Sequence, residues 1–249
     1  MLFQRAVSPG PAVSPESLYT RLALGERAHS ERPYVVCNFV SSADGKATAG
    51  GRTALLGGDG DRAAFHLLRT QVDAVLAGTG TLRVERYGVL VRDANLSEIR
   101  VTEGRAVQPL AVVVSRSGRI PFDIPLFADA RSRIVIYTPT ATVVPEGAAD
   151  VTVHEIPPSQ DELLDVLRSL REEHDVRSLL CEGGPTLFNS MLAQDLVDEL
   201  FLTLAPALVG GDERGITTGT AVQGPLPLQL IWAVEQDSHL LLRYARRRS

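Results

Sequence analysis

Two short glycine-rich segments are the residues of this chain with the clearest chemical meaning. The first, Gly78-Thr79-Gly80-Thr81, follows the apolar run Val75-Leu76-Ala77, and the second, Glu182-Gly183-Gly184-Pro185-Thr186, follows Ser178-Leu179-Leu180-Cys181. A strand that ends in glycines and turns into a helix leaves unpaired backbone N–H groups at the helix start, and these attract anions, above all phosphates. Two such turns in one chain therefore predict one phosphate-bearing ligand held from two sides.

Each turn also has a plainer interpretation. Gly78 and Gly80 fit tight strand-to-helix packing as well as they fit ligand binding. The second turn favours function, because Glu182 stands at a strand end, where ligand crevices of open α/β sheets form, and Gly184 permits close backbone approach. Arg116, between two serines after a strand, could bind a terminal phosphate such as the 2′-phosphate of NADP, although the residues alone favour a solvated turn.

Other constellations of catalytic residues are missing from the sequence. In a G-x-G-x-x-G fingerprint that begins at Gly78, the sixth position is Arg83 instead of glycine, and no G-x-x-x-x-G-K-[ST] occurs. The zinc deaminase signature and the G-x-S-x-G elbow of hydrolases are also missing. The five histidines show no ligand spacing, so we expect no metal site.

The elements that must position these turns follow an alternating pattern. Strands alternate with helices up to about residue 200, and strands then follow one another, which predicts an α/β fold with a mainly parallel sheet and a C-terminal antiparallel pair. We expect residues 1–32 to be an extension that packs on the surface or stays loose, with Ser17–Ala28 as one short helix, and residues 33–249 to form one domain. The predicted strands are 34–40, 73–77, 110–114, 134–138, 151–156, 178–181, 199–205, 228–235 and 239–245, and the predicted helices are 61–70, 79–86, one through 173 with Ser159 as N-cap, and 187–193.

Composition and charge narrow the class of protein. The chain has 249 residues, 44% of them hydrophobic, and a net charge of −5, which provides no basic field for nucleic acid. The basic residues 243–248 are interpreted as a solvated tail. Cys37 and Cys181 lie in apolar runs, so we expect no disulfide framework. The sequence has no apolar stretch of about 20 residues, so we also expect no membrane span. A cytoplasmic enzyme fits these observations, since no secretory signal is found.

Several segments resemble the reductase domain of the bifunctional riboflavin-biosynthesis deaminase/reductase. The stretch 38–45, NFVSSADG, is similar to the family's L-x-x-S-x-D-G; 73–81, DAVLAGTGT, to D-A-[IV]-L-x-G-x-G-T; and 182–187, EGGPTL, matches E-G-G-P-T-L. Order and spacing agree over about residues 33–245. The resemblance implies a dihydrofolate-reductase-like fold, NADPH as cofactor, a homodimer, and hydride transfer to a phosphoribosylaminopyrimidinone. Because only about 32 residues precede the motifs, we expect a stand-alone form without the deaminase domain.

The resemblance also assigns residues to the two ligands. The residues expected at the cofactor are Ser41, Gly78, Gly80, Thr81, Glu85, Arg116, Gly183, Gly184, Pro185, Thr186 and Leu187. The residues expected at the substrate are Asn38, Thr53, Leu55, Arg69, Arg92 and Glu182. The arginines suit a ribose phosphate, which a guanidinium can bind through two parallel hydrogen bonds.

This chain departs from the family pattern mainly in the substrate half. The family often has Lys where Asn38 stands, Trp where Leu55 stands, and D-D-P-x-L where residues 85–89 read ERYGV. Two alternatives to the pyrimidine reductase therefore stay open: a dihydrofolate or pterin reductase with the same fold and cofactor, and a nucleotide-binding protein without catalysis.

Overall fold

The chain folds around one mixed sheet flanked by helices on both faces. The computed structural model describes residues 11–159 and 161–248. The strands are β1 (Tyr34–Ser42), β2 (Ala74–Gly78), β3 (Leu110–Val114), β4 (Arg133–Thr138), β5 (Asp150–Glu155), β6 (Ser178–Cys181), β7 (Glu199–Ala205), β8 (Leu228–Gln236) and β9 (His239–Arg246). The helices are α1 (Pro15–Tyr19), α2 (Asp59–Thr70), α3 (Thr79–Glu85), α4 (Ala94–Thr102), α5 (Pro125–Ala128), α6 (Glu162–Glu173) and α7 (Pro185–Ala193), with 3₁₀ turns at Leu24–Arg27 and Thr53–Leu55.

The order of the strands places the two glycine turns side by side. Across the sheet the strands run β5-β4-β3-β2-β6-β1-β7-β9-β8, and all neighbours are parallel except β7–β9 and β8–β9. Because β6 is inserted between β1 and β2, the chain reverses its winding direction there, which is where open α/β sheets form a ligand crevice. The predicted α/β class, with a parallel sheet and a C-terminal antiparallel pair, is confirmed.

Two apolar layers hold the helices against the sheet. On one face α1, α2 and α5 bury residues such as Tyr19, Leu68 and Phe127 against alternate strand residues. On the other face α6 and α7 bury Leu167 and Phe188 with their neighbours. Both amphipathic helices α2 and α6 are recognisable from apolar residues at helical spacing. None of the described helices is long and apolar enough to cross a membrane.

Local expectations fail mainly at helix starts and in short helices. Helix α6 begins at Glu162 with Asp161 as its N-cap, and the Ser159 hydroxyl instead accepts the Asp161 N–H at 3.2 Å. The expected helix 17–28 is divided into α1 and a 3₁₀ turn, because Arg21 and Ala23 adopt positive φ. Helices α4 and α5 are short and lack a strong apolar stripe, so the sequence pattern did not reveal them.

The described part of the N-terminal extension belongs to the core, contrary to expectation. Tyr19, Leu22 and Leu24 are all buried, and Tyr19 packs edge-on against Trp232 with ring centroids 5.4 Å apart. Residues 1–10 of the predicted extension lie outside the described residues. Apolar side chains of a terminal segment become ordered when they complete a core, so the extension contributes to stability.

The basic C-terminal residues are paired, which corrects their interpretation as a solvated tail. Arg243 is buried and donates two hydrogen bonds to Glu199, with Nε–Oε2 and Nη2–Oε1 distances of 2.8 and 3.1 Å. Arg248 donates to Asp198 Oδ1 at 2.7 Å. Local sequence patterns could not reveal this pairing, because the partner acids at 198–199 are distant in sequence from the arginines.

Asp198, directly before β7, connects the start of β1 with the C-terminal end of the described chain. Its oxygens accept from Arg32 at 2.7 and 3.0 Å, from the Val35 N–H at 2.8 Å and from Arg248. Burial alone would raise the pKa of Asp198, but these donors, Arg32 first, outweigh burial and hold the pKa below its ordinary value. Because the native pKa is depressed, this stabilisation is complete above the unfolded-state pKa of about 3.9 and is lost as pH falls through the native pKa.

We expect Asp198→Asn to lower the free energy of unfolding at pH 7 by about 3 kcal/mol, since Arg32 then stays buried without its charge partner. The variant should also lose less stability than the wild type between pH 5 and pH 2. Urea unfolding at a series of pH values measures both effects. Asp123→Asn, at an exposed pair with Arg86, is the matched control and should change little; equal effects of the two substitutions would contradict the prediction.

Candidate functional site

A cavity of about 1600 Å³ opens at the carboxyl ends of β1, β2, β3 and β6. It brings together most of the residues singled out in the sequence. Those lining it are Asn38, Thr53, Arg69, Gly78, Gly80, Thr81, Glu85, Arg92, Arg116, Glu182, Gly184, Pro185, Thr186 and Leu187. The cavity is large enough for a dinucleotide together with a second small molecule.

Three of the expected site residues do not line this cavity. Ser41 is buried, and its hydroxyl donates to the Ser42 carbonyl at 2.9 Å. Leu55 is 68% exposed to solvent. Gly183 lies under the Phe39 ring, where an added Cβ would come within 2.9 Å of a ring carbon, and its φ of +81° also favours glycine. Gly183 therefore shapes the second turn without facing the cavity.

The two glycine turns are in direct contact. The Gly78 N–H donates to the Gly183 carbonyl at 2.9 Å, and a Cβ added to Gly184 would lie 3.0 Å from the Thr81 hydroxyl. The peptide bond between Gly183 and Gly184 is cis. Helices α3 and α7 start at these turns with Gly78 and Gly184 as N-caps, and no side chain of the described residues caps either one. Their free N–H groups fit the pyrophosphate of a dinucleotide.

A buried ion pair forms the floor of the cavity beside the second turn. Arg69 on α2 donates to both oxygens of Glu182, with Nε–Oε1 at 2.7 Å and Nη2–Oε2 at 2.8 Å. Both side chains are more than nine-tenths buried. Burial alone would lower the pKa of Arg69, but the Glu182 carboxylate outweighs it and raises that pKa. The two parallel hydrogen bonds fix both side chains in position.

Tyr87 is a site residue that the sequence reasoning missed. Its hydroxyl donates to Glu182 Oε2 at 2.6 Å, and the Arg69 guanidinium lies 5.3 Å from its ring centroid. Burial, followed by the neighbouring Glu182 charge, raises the pKa of Tyr87 well above its ordinary value. Tyr87 lies in the segment 85–89 that departs from the family pattern. This departure was the feature of the sequence that could have indicated Tyr87 as a site residue.

Arg69 is occupied by protein acceptors, which limits the role expected for it. Besides Glu182 it donates through Nη1 to the Leu90 carbonyl at 2.8 Å, and the Phe65 ring centroid lies 4.2 Å from its guanidinium carbon. Buried Arg100 supports this end of α2 by donating to the Arg69 and Val72 carbonyls, both at 2.7 Å. Burial, with a smaller effect of Arg105, lowers the pKa of Arg100 to about 10.

Arg92 is an exposed cation on the cavity wall. Among residues 11–159 and 161–248 no carboxylate lies within ion-pair distance of it, and its guanidinium packs close to Gly88, where a Cβ would lie 2.8 Å from Nη2. Asn38 follows Cys37, which is paired in register with Cys181 of β6. Asn38 therefore lies on the same side of the sheet as Glu182.

The outer wall of the cavity consists of two loops, residues 43–52 and 206–215, that hydrogen bond to each other. Asp44 accepts from the Val209 and Gly210 N–H groups at 3.1 and 2.7 Å. The Ser42 hydroxyl also donates to Asp44. These hydrogen bonds, that of Ser42 first, lower the pKa of Asp44 to about 2. Glu213 accepts from the Gly51 N–H at 3.1 Å and from the Thr48 hydroxyl. The S-x-D-G segment thus holds the wall together.

Arg116 lies at the far end of the cavity, in the turn after β3. Its guanidinium Nε donates to Glu162, the first residue of α6. Next to it, Ser115 and Thr138 are buried, and their hydroxyl groups have no hydrogen-bond partner among the described residues. Glu162 was not expected at the site, because its proximity to Arg116 depends on the packing of α6. Glu85 is exposed at the end of α3.

The described residues contain no cluster of three or more histidine, cysteine or acidic side chains able to hold a metal ion. The fold and cavity together define a doubly wound α/β protein with a large cavity at the reversal of strand order, where proteins of this class bind ligands. The family model described as "RibD C-terminal domain" matches residues 33–240. The chain belongs to the RibD C-terminal domain family, which confirms the resemblance found in the sequence motifs.

Relatives and solved structures agree with this membership. The chain is 32% identical over 186 residues to the 2,5-diamino-6-ribosylamino-4(3H)-pyrimidinone 5′-phosphate reductase of Archaeoglobus fulgidus, covering 72% of this chain and 83% of that protein. It is 31% identical over 208 residues to the riboflavin biosynthesis protein RibD of Mycobacterium tuberculosis, covering 79% of this chain and 51% of that protein. A pyrimidine reductase-like protein of Corynebacterium diphtheriae has the same fold, with a TM-score of 0.79, 23% identity and coverage of 94% and 99%.

Proposed function

We propose that this protein is a nicotinamide-dependent reductase that transfers hydride to a ribosylaminopyrimidinone 5′-phosphate. The observation that carries the proposal is the contact between the two glycine turns, Gly78 N–H to Gly183 carbonyl at 2.9 Å, inside one cavity with the Arg69–Glu182 pair. The activity for which relatives such as the Archaeoglobus fulgidus reductase are named supports this substrate.

Some residues of the cavity bind the two ligands, and others orient the substrate. The N–H groups at the starts of α3 and α7 bind the pyrophosphate, and the bound dihydronicotinamide supplies the hydride. Exposed Arg92 binds the substrate's phosphate, since Arg69 is committed to Glu182. The fixed Glu182 carboxylate and the neighbouring Asn38 orient the pyrimidine. Thr53 also lines the cavity.

The test is an assay of purified protein with reduced nicotinamide cofactor and either the aminopyrimidinone phosphate or dihydrofolate. We expect loss of nicotinamide absorbance with the pyrimidine, and a product two mass units heavier. Oxidation with dihydrofolate alone would instead establish the dihydrofolate or pterin reductase alternative. Cofactor binding without oxidation in either mixture would establish a nucleotide-binding protein without catalysis.

We further propose NADPH as the cofactor that this protein uses, with Arg116 as the residue facing the 2′-phosphate. The support is the exposed guanidinium in the cavity beside the buried hydroxyls of Ser115 and Thr138. We also propose a cytoplasmic location, which the two free buried cysteines support. The division into residues 1–32 and 33–249 stays a prediction.

We also propose that the protein forms a homodimer in which β8 is the interface. This edge strand exposes Leu228, Leu230 and Ile231, and an exposed apolar edge strand favours pairing with another strand. We expect Ile231→Lys to convert a dimer into a monomer in light scattering after gel filtration. Val143→Lys, at a residue 90% exposed in a loop, is the matched control. A monomeric wild type would exclude the dimer, and a dimeric Ile231→Lys variant would exclude this interface.

A further inference from the structure

The Arg116 end of the cavity has the features of a ribose pocket. Gly78 of the first turn is paired in register with Val114 of β3, so Arg116 stands two residues beyond a strand that lies about 4.8 Å from the turn. A ribose attached to the pyrophosphate at the turns would lie over this strand. The buried hydroxyls of Ser115 and Thr138 have no hydrogen-bond partner within residues 11–159 and 161–248, so a polar ligand group is expected there.

An acid already pairs with the guanidinium that we propose for the 2′-phosphate. The Glu162 carboxylate accepts from Arg116 Nε and lies in the first turn of α6, where the helix dipole stabilises an anion. The Glu162 side chain is 18% exposed and the Arg116 side chain 64% exposed. Glu162 is therefore the better anchored member of the pair, and Arg116 is the member that can move toward a ligand.

We propose that Glu162 lowers the selectivity of this protein for the 2′-phosphorylated dinucleotide, so that both phosphorylated and unphosphorylated forms bind. A 2′-phosphate bound to the remaining N–H groups of Arg116 would lie close to the Glu162 carboxylate, a second negative charge. A free 2′-hydroxyl, in contrast, can donate a hydrogen bond to the same carboxylate, as acids at the ribose do in NAD-binding sites. The proposal rests on the proposed dinucleotide site, and names Glu162 as a specificity-determining residue within it.

The test compares two nucleotides that differ in the 2′-phosphate, adenosine 2′,5′-bisphosphate and AMP, by isothermal titration calorimetry, followed by NADP⁺ and NAD⁺. Glu162→Gln should raise the affinity ratio of the phosphorylated to the unphosphorylated form by about five-fold, as expected for one partly exposed charge interaction. Arg116→Ala should change the same ratio in the opposite direction. Glu31→Gln, at an exposed pair with Arg168 on α6, removes an equal charge elsewhere and should leave the ratio unchanged.

The outcomes separate this inference from the proposed function. If the wild type binds none of the four nucleotides, the dinucleotide site itself is wrong. If they bind and Glu162→Gln leaves the ratio unchanged while its circular dichroism matches the wild type, Glu162 has no part in selectivity. A Glu162→Gln variant that fails to fold leaves Arg116→Ala as the deciding variant, and an unchanged ratio in that variant overturns the ribose pocket.

Discussion

Replacing Gly184 with valine should weaken binding of the nicotinamide dinucleotide by at least about 100-fold, which corresponds to about 2.7 kcal/mol. A Cβ at this position would lie 3.0 Å from the Thr81 hydroxyl, so the two methyl groups of valine would stand between the glycine turns. They would block the approach of a pyrophosphate to the N–H groups that start α7. The backbone itself is unstrained by the change, since Gly184 has φ of −71°.

Calorimetric titration with NADP⁺ measures this loss, and thermal unfolding shows whether the fold is intact. Ala94→Val is a suitable control, because Ala94 is the exposed first residue of α4 and lies outside the cavity lining. Gly184→Ala should have an intermediate effect. Wild-type affinity in a folded Gly184→Val protein would remove the second turn from the cofactor site.

Replacing Glu182 with glutamine should lower the free energy of unfolding by about 3 kcal/mol, because a buried arginine then loses its charge partner. Arg69 would retain the Leu90 carbonyl as an acceptor, but one carbonyl does not neutralise a guanidinium that is 9% exposed. Tyr87 would also lose a charged acceptor. Urea unfolding at pH 7 measures the change.

The double variant Arg69→Gln/Glu182→Gln removes both charges and should recover much of this loss, because the stability effects of substitutions at two contacting residues do not add. Asp123→Asn, at the exposed pair with Arg86, should cost less than about 0.5 kcal/mol. A double variant as unstable as the sum of its single changes would show that the two residues act independently, contrary to the structure. The double variant should still bind NADP⁺, for which we propose the two glycine turns as the site.

How much could be predicted from sequence depends on the range over which each interaction acts. Strands 110–114, 178–181 and 199–205 were predicted at their observed bounds, because a buried strand is a short apolar run that local composition reveals. Helix α6 starts three residues later than Ser159, since several polar residues there can cap a helix and only packing selects among them. The Glu182 carboxylate was recognised from its motif, but its partners Arg69 and Tyr87 are 113 and 95 residues away in sequence.

The amino-acid sequence by itself determined the alternation of strands and helices, the two glycine turns and the membership of the reductase-domain family. These properties depend on residue types within a few positions, because glycine freedom, helix capping and apolar periodicity are local. Only the tertiary structure decided that the turns touch, that Arg69 is used by Glu182 and that Glu162 lies against Arg116. It also decided that buried Arg243 and exposed Arg248 pair with the acids at 198–199. The physical reason is that ion pairs form between side chains that neighbouring strands and helices bring together, and strand order is not a local property of the chain.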